Sequence, residues 1–362
     1  WPADLQVAGG LRAGLMGTVA GADTRVGADL RLSTPEVNGR RFDELRAVLT
    51  ATDAETRLEA AQLKAGDGRL WAQGMAERGL LSCDTDLRKL RGSLRLGAAE
   101  LDLATVPVGV DGKELGGSLY ADLQARGPLA DPDVAGKLQV FSPQYDGHEA
   151  DALWAEVSRS GSVLRIPRVL AAAGHAVAAL TDVEISDFSL LRADTDTPIF
   201  APDGRVRGGA VEAFAPVADI AAVADAQADT GGWFHTLGVV AGTLRRPTLS
   251  GLLRADSLRV GEFLINEARL PVSLSGDTLL VSDGYVLAHG ARASLVGRVR
   301  DLYGKAEYSL SASVDGVSLE KLPSLHRLGA DASGQATMPS VVLWGAKGGR
   351  PSGSATFRLS DL

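Results

Sequence analysis

Little in this sequence invites catalysis. Cys83 is the one cysteine in 362 residues, which excludes an intramolecular disulfide. With no histidine near it, it reads as a buried or inert thiol. The five histidines, His148, His175, His235, His289 and His326, are scattered. None shares a metal-ligand spacing with Cys83 or a carboxylate. His175 and His289 fall at similar places, each beside a glycine, which suits turns in a repeat. There is no G-x-S-x-G elbow, no G-x-x-x-x-G-K-[ST] loop and no D-x-[DN]-x-[DN]-G calcium loop. The net charge is −8 and no Lys/Arg block stands out, so nucleic acid has no electrostatic footprint. No signal peptide and no apolar run of 18 residues is visible. Catalytic residues, metal and cofactor are all expected to be none. The chain starts at Trp1 and ends at Leu362 just after a strand-like run, and so reads as an internal segment of a longer protein.

What is present is aliphatic. Apolar residues make up 45% of the chain, aromatics only 5%, and glycines number 43. Such a composition predicts a thin core of Leu, Val and Ala. Period-2 alternation dominates: Ala268–Leu274 (Pro271 aside), Thr278–Ser282, Ala291–Val296 and Ala306–Val314 all read as half-buried strands joined by tight turns. One order of strands can be traced three times. Each copy opens on a glycine phrase, passes a glycine turn at Gly39, Gly147 or Gly261, and closes on Asp86–Leu90, Asp187–Leu191 or Ser318–Leu322. The closures look like capped short helices. The predicted modules are 1–126, 127–241 and 242–344, with 345–362 starting a fourth. Val211–Ala228 reads as a helical insert, with Val217, Ile220, Ala221 and Ala224 on one face. The glycine-rich pieces Gly112–Gly117 and Gly204–Gly209 read as turns. Helical repeats are the rival architecture, but the strand signal outnumbers theirs.

The glycine phrase has the pattern G-x-L-x-x-P-x-(L/V)-x-G-x-L. It runs from Gly127 through Pro132 and Gly136 to Leu138, and again from Gly242 through Pro247 and Gly251 to Leu253. A degraded copy spans Gly17–Gly27 and a partial one follows Gly345. Proline interrupts pairing at an edge or at the start of a strand. Glycine permits φ > 0 or a bulge, so a sheet can bend. Leucine keeps one face apolar. The phrase, the short-helix closure and the cadence of roughly 100 residues resemble the TamB-type and wider AsmA-like family of bacterial envelope proteins. The resemblance covers nearly the whole chain and rests on glycine, proline and leucine positions. It implies an all-β, elongated, folded-over antiparallel β-sheet, a trough of repeated modules with short helices at the joints. It further implies a periplasmic location with the full-length protein anchored in the inner membrane, an inner-membrane anchor, an outer-membrane partner protein, and phospholipid as cargo.

The strand-alternate apolar residues Leu45, Ala47, Leu49, Leu153, Ala155, Val157, Leu270, Val272, Leu274, Leu279, Val281, Tyr308 and Leu310 are the expected lining of a groove for phospholipid acyl chains. A one-residue slip would exchange the two faces, so the pattern alone leaves the choice of face open. It also leaves open a plain structural core. The rival functions are a β-solenoid stalk whose apolar face is wholly internal, and an outer-membrane protein assembly factor using an open sheet edge.

Overall fold

The computed structural model describes residues 7–20, 23–37, 40–77, 90–105, 109–110, 113–128, 131–145, 148–187, 204–218, 230–243, 246–260, 263–302, 305–321 and 333–361. Cys83, His326, the turns at Gly39, Gly147 and Gly261, and most of the first two closing signatures lie outside the described residues. The chain is all-β and divides into two compact units. Unit 1 comprises Trp1–Ala173 and Thr181–Gly204; unit 2 comprises Gly174–Leu180 and Arg205–Leu362.

Unit 1 holds β1 (Val7–Ala20), β2 (Asp23–Val37), β3 (Arg40–Arg41), β4 (Glu44–Thr52), β5 (Glu55–Ala65), β6 (Gly68–Glu77), β7 (Arg91–Asp102), β8 (Gly109–Val110), β9 (Lys113–Pro128), β10 (Asp133–Tyr145), β11 (His148–Glu149), β12 (Ala152–Ser160) and β13 (Val163–Ala173). The long strands pair antiparallel in the order β1, β2, β4, β5, β6, β7, β9, β10, β12, β13. The two-residue β3, β8 and β11 attach to β2, β9 and β10. β14 (Ala176–Ile185) is shared between the units. Unit 2 holds β15 (Arg205–Pro216), β16 (Thr230–Thr243), β17 (Pro247–Val260), β18 (Phe263–Ser275), β19 (Thr278–Ala288), β20 (Ala291–Arg300), β21 (Glu307–Ser318), β22 (Gln335–Gly345) and β23 (Ser352–Ser360), each paired antiparallel to the next.

The repeat is visible in the backbone. Thr34 N–H donates to Asp43 O at 3.0 Å and Ser142 N–H to Asp151 O at 2.9 Å, 108 residues further on. Phe42 to Pro35 (2.8 Å) and Asp43 to Lys64 (2.9 Å) recur at the same offset as Ala150 to Pro143 (3.0 Å) and Asp151 to Ala172 (2.8 Å). Thr34, Ser142 and Ser257 hold φ of 46°, 46° and 55°, the last 115 residues beyond the second. Strands β4, β12 and β18 are therefore equivalent. His175 and His289 fall in equivalent turns but at different turn positions: Gly174 aligns with His289 and His175 with Gly290.

The two complete phrases build the hairpins β9–β10 and β16–β17, and their two glycines do different work. The first, Gly127 or Gly242, holds φ of 102° or 98°, a conformation that costs an L side chain energy. The second, Gly136 or Gly251, lies mid-strand, where a Cβ would meet Asp122 O at 2.1 Å or Leu237 O at 2.3 Å. No side chain fits there without moving a neighbouring strand. Pro132 immediately precedes β10 and Pro247 opens β17, where a missing N–H costs no ladder bond. In the degraded copy the position equivalent to Gly136 is Ala28.

Two expectations are corrected. Val211–Pro216 belongs to β15, not to a helix; Val211, Ala213 and Ala215 are half-buried while Glu212 and Phe214 are exposed, the alternation of a strand. Only Val217 and Ala218 have helical conformation, and 219–228 lies outside the described residues. Residues 113–117 and 205–209 are strand rather than turn. Gly117 and Gly208 sit at register shifts of β9 and β15, so these glycines serve bulges. Of the closing signatures, Ser318–Leu322 carries its short helix as a single 3-10 turn at Leu319–Lys321; a further 3-10 turn, at Leu103–Thr105, lies outside them.

Candidate functional site

Registered pairs place every expected groove residue of a unit on one face. In unit 1 a row runs Leu11, Leu32, Leu45, Leu63, Leu70, Ala98, Ala121, Leu138, Ala155, Val169, one residue from each successive long strand. Ala47 and Leu49 lie in the adjoining rows of that face, opposite Leu30 and Ala28. Leu153 faces Val140, and Val157 faces Gly136. In unit 2 one row runs Val240, Leu249, Leu274, Leu279, Val299, Tyr308. The next runs Gly251, Val272, Val281, Gly297, Leu310, Leu343. Leu270 precedes Val272 by two and so shares its side. Pro271, between them, sits where β18 shifts register against β19, a place that needs no N–H.

The apolar rows are smooth because large residues lean over small ones. A Cβ at Gly297 would lie 2.4 Å from Leu310 Cδ2, one at Gly136 2.8 Å from Leu123 Cδ2, and one at Gly345 2.6 Å from Tyr308 Oη. The leucines and valines of both faces are mostly half-buried, while alanines among them, such as Ala255 at 1% and Ala268 at 4%, are covered. Pro35 is the largest side chain buried below 2% among the described residues, so no globular core of large side chains forms.

The opposite face of unit 1 is mostly polar, whereas that of unit 2 mixes polar side chains with Leu237, Val239, Val296 and Trp344, which are 47% to 55% exposed. Arg46, Gln62, Arg95, Asp122 and Lys137 of unit 1, and Ser250, Arg298 and Ser309 of unit 2, are exposed there. Arg46 donates to Asp29 at 3.2 Å and Arg95 to Asp122 at 2.8 and 2.9 Å, holding both carboxyls below their ordinary range. Trp71 lies flat against Gly97, with the Arg95 guanidinium 5.4 Å from its ring. Open clefts of about 390, 350 and 610 Å³ are also present; the first is lined by Arg57, Gln73, Ser93, Arg95, Gln124 and Arg126, the second by Gln124, Asp133, Val134, Ser158, Arg159 and Arg165, the third by Leu280, Ser282, Val296, Arg298, Tyr308 and Ser309. Among the described residues, no group of three or more His, Cys, Asp or Glu could hold a metal ion, and no helix is long and apolar enough to cross a membrane.

Sequence reasoning missed two features. Phe214 and Trp233 stack at 4.6 Å beside His235, whose Nε2 lies 2.9 Å from Glu212 Oε1. Arg159, 5% exposed, sits on the apolar side of unit 1 between Val134 and Leu164. Its signal was legible, since the alternation Leu153, Ala155, Val157 continues onto it. Comparison with protein-family models, with curated proteins and with solved structures finds no match.

Proposed function

We propose that this chain is a non-catalytic segment of a lipid conduit or assembly scaffold in a bacterial envelope, its apolar faces carrying phospholipid acyl chains. The single observation behind this reading is the pair of continuous aliphatic walls. Each keeps its register across strand after strand while remaining half-exposed. Such a wall gains roughly 0.8 kcal/mol for each methylene it covers, without a specific polar contact. Aliphatic rows with few aromatics suit a chain that slides. The periplasmic location, the inner-membrane anchor of the full-length protein and the outer-membrane partner follow from the family resemblance.

Native mass spectrometry of the purified protein tests this, with phospholipid expected to co-purify. Val272 and Leu310 share one row, on β18 and β21. The double substitution Val272→Asp plus Leu310→Asp should deplete that lipid while leaving the far-UV circular dichroism unchanged. Lipid content unchanged in the double variant would sink the reading. A second reading has its own observation: β23 is exposed along its whole length and pairs only with β22 among the described residues. An assembly factor could offer that edge to a client strand. A protein that purifies dry would favour that reading or a structural stalk.

A further inference from the structure

Arg159 interrupts the apolar wall of unit 1 with a charge. Its side chain is 3% exposed. The guanidinium donates to Pro132 O at 2.6 Å and to the Asp131 carboxylate. Its Nε is buried and has no acceptor among the described residues. A buried guanidinium needs an anion beside it, and here that anion comes from a side chain 62% exposed on a turn.

The simple alternative is a clamp that holds the β9–β10 turn in shape. The repeat argues against it. Positions equivalent to Arg159 are Ala51 on β4 and Leu274 on β18, both on apolar faces. The matching β16–β17 hairpin closes with Thr243 and Arg246 exchanging backbone hydrogen bonds at 3.2 and 3.1 Å, and β9–β10 itself closes with Asp131 N–H on Pro128 O at 3.0 Å. The hairpin thus forms with leucine at this position. The charge is an addition of the middle copy.

We propose that Arg159 is a headgroup anchor. An amphiphile whose chain lies along the unit 1 wall places an oxyanion, phosphodiester or carboxylate, on the guanidinium in place of Asp131, and its second oxygen accepts from the unpaired Nε. The planar fork of arginine suits such two-point contact. Asp131 swings into water, and the buried charge stays neutralised throughout. This inference rests on the lipid reading above and adds the headgroup class to it.

Three probes with one oleoyl chain separate the outcomes: oleoyl lysophosphatidylglycerol, oleate and mono-oleoylglycerol, titrated onto the delipidated protein by native mass spectrometry. The wild type should bind the two anionic probes about tenfold more tightly than the neutral one, as expected of a charge-assisted hydrogen bond. Equal binding of the two would place the selection in charge alone; a phosphodiester advantage would assign the site to phospholipid. Arg159→Met should erase the preference for anions and leave mono-oleoylglycerol binding intact. Asp131→Asn, which removes the competing carboxylate, should strengthen that preference; a clamp would show lowered thermal stability and no change of preference. If Arg159→Met does not fold, Arg159→Lys keeps the charge, loses the fork and should show a reduced preference. Equal binding of all three probes to the wild type would overturn the headgroup anchor while leaving the lipid reading standing. Failure of every probe to bind would overturn both.

Discussion

On the polar face of unit 1, opposite charges meet across neighbouring strands: Asp29 with Arg46, Asp122 with Arg95, Glu156 with Lys137. Both units also pair charges along single strands, Asp29 with Arg31 and Glu55 with Arg57 in unit 1, Glu267 with Arg269 and Asp256 with Arg254 in unit 2, where Glu212 meets His235 across strands. Unit 2 leaves Phe214, Trp233, Val296 and Trp344 between 42% and 55% exposed, where unit 1 leaves Phe141 at 43% and Met75 at 39%. The apolar faces differ less: both carry aliphatic rows that pass from strand to strand, and Arg159 is the charge set into that of unit 1. The contrast teaches which face is constrained. A polar face is satisfied by water in many arrangements, so its pairs can differ from copy to copy. An apolar row works only if every strand contributes in register, and one slip would turn a whole strand's side chains to the wrong side.

The sharpest test of equivalence uses the mid-strand glycines of the phrase. Gly136→Val and Gly251→Val each drive a side chain into a neighbouring backbone. Each should cost about 3 kcal/mol or more, the upper range for overpacking. Urea denaturation would measure it, with hydrogen exchange assigning the loss to a unit. Costs that differ by more than about 2 kcal/mol would show that the two hairpins are not the same mechanical element. The next effect separates the polar faces. Trp71, half-buried against Gly97 under Arg95, should cost about 2 kcal/mol when changed to alanine. Trp344, 47% exposed, should cost under about 0.5 kcal/mol. Comparable losses would mean that unit 2 uses its exposed aromatics for stability after all. Smaller again is Gly161→Ala. Its φ of 57° is strained for alanine, but nothing lies within 4 Å of the new Cβ, so about 1 kcal/mol is expected.

These sites also mark how far the sequence could be read. Alternation put the thirteen residues expected to line a groove on one face within each unit, because period two fixes which side chains travel together. It could not say which face is the smooth one, since that emerges only when rows from separate strands line up, as Leu45 with Leu63 and Leu70 do. The helix expected from Val211 drew its spacing from Val217 to Ala224, whereas Val211, Ala213 and Ala215 follow period two and pair with Gly238, Thr236 and Phe234. Gly117 and Gly208 were read as turns because glycine marks turns and bulges alike. Arg159 escaped because a search for apolar alternation passes over the charge that breaks it.

Acid should separate the units by the smallest margin. The carboxyls of Asp29, Asp122 and Glu267 all lie below the ordinary range, each chiefly through a hydrogen bond from arginine: Arg46, Arg95 and Arg269 respectively. Partial burial opposes the shift in each case. A depressed folded-state pKa means that the unfolded chain binds protons first as pH falls. Stability from these pairs is therefore complete above the unfolded carboxylate range, roughly pH 4, and is lost as pH drops through the lower folded values. The two pairs of unit 1 are solvent-exposed and Glu267 with Arg269 is half-buried, so the loss is small and salt should shrink it. Hydrogen exchange followed downward from about pH 5 to pH 3 should show unit 1, with two such pairs, losing slightly more protection than unit 2, with one. Arg95→Met should remove part of that excess, and about 0.5 M salt should remove most of it. Equal losses at low salt would mean that the additional pair of unit 1 carries no energetic weight.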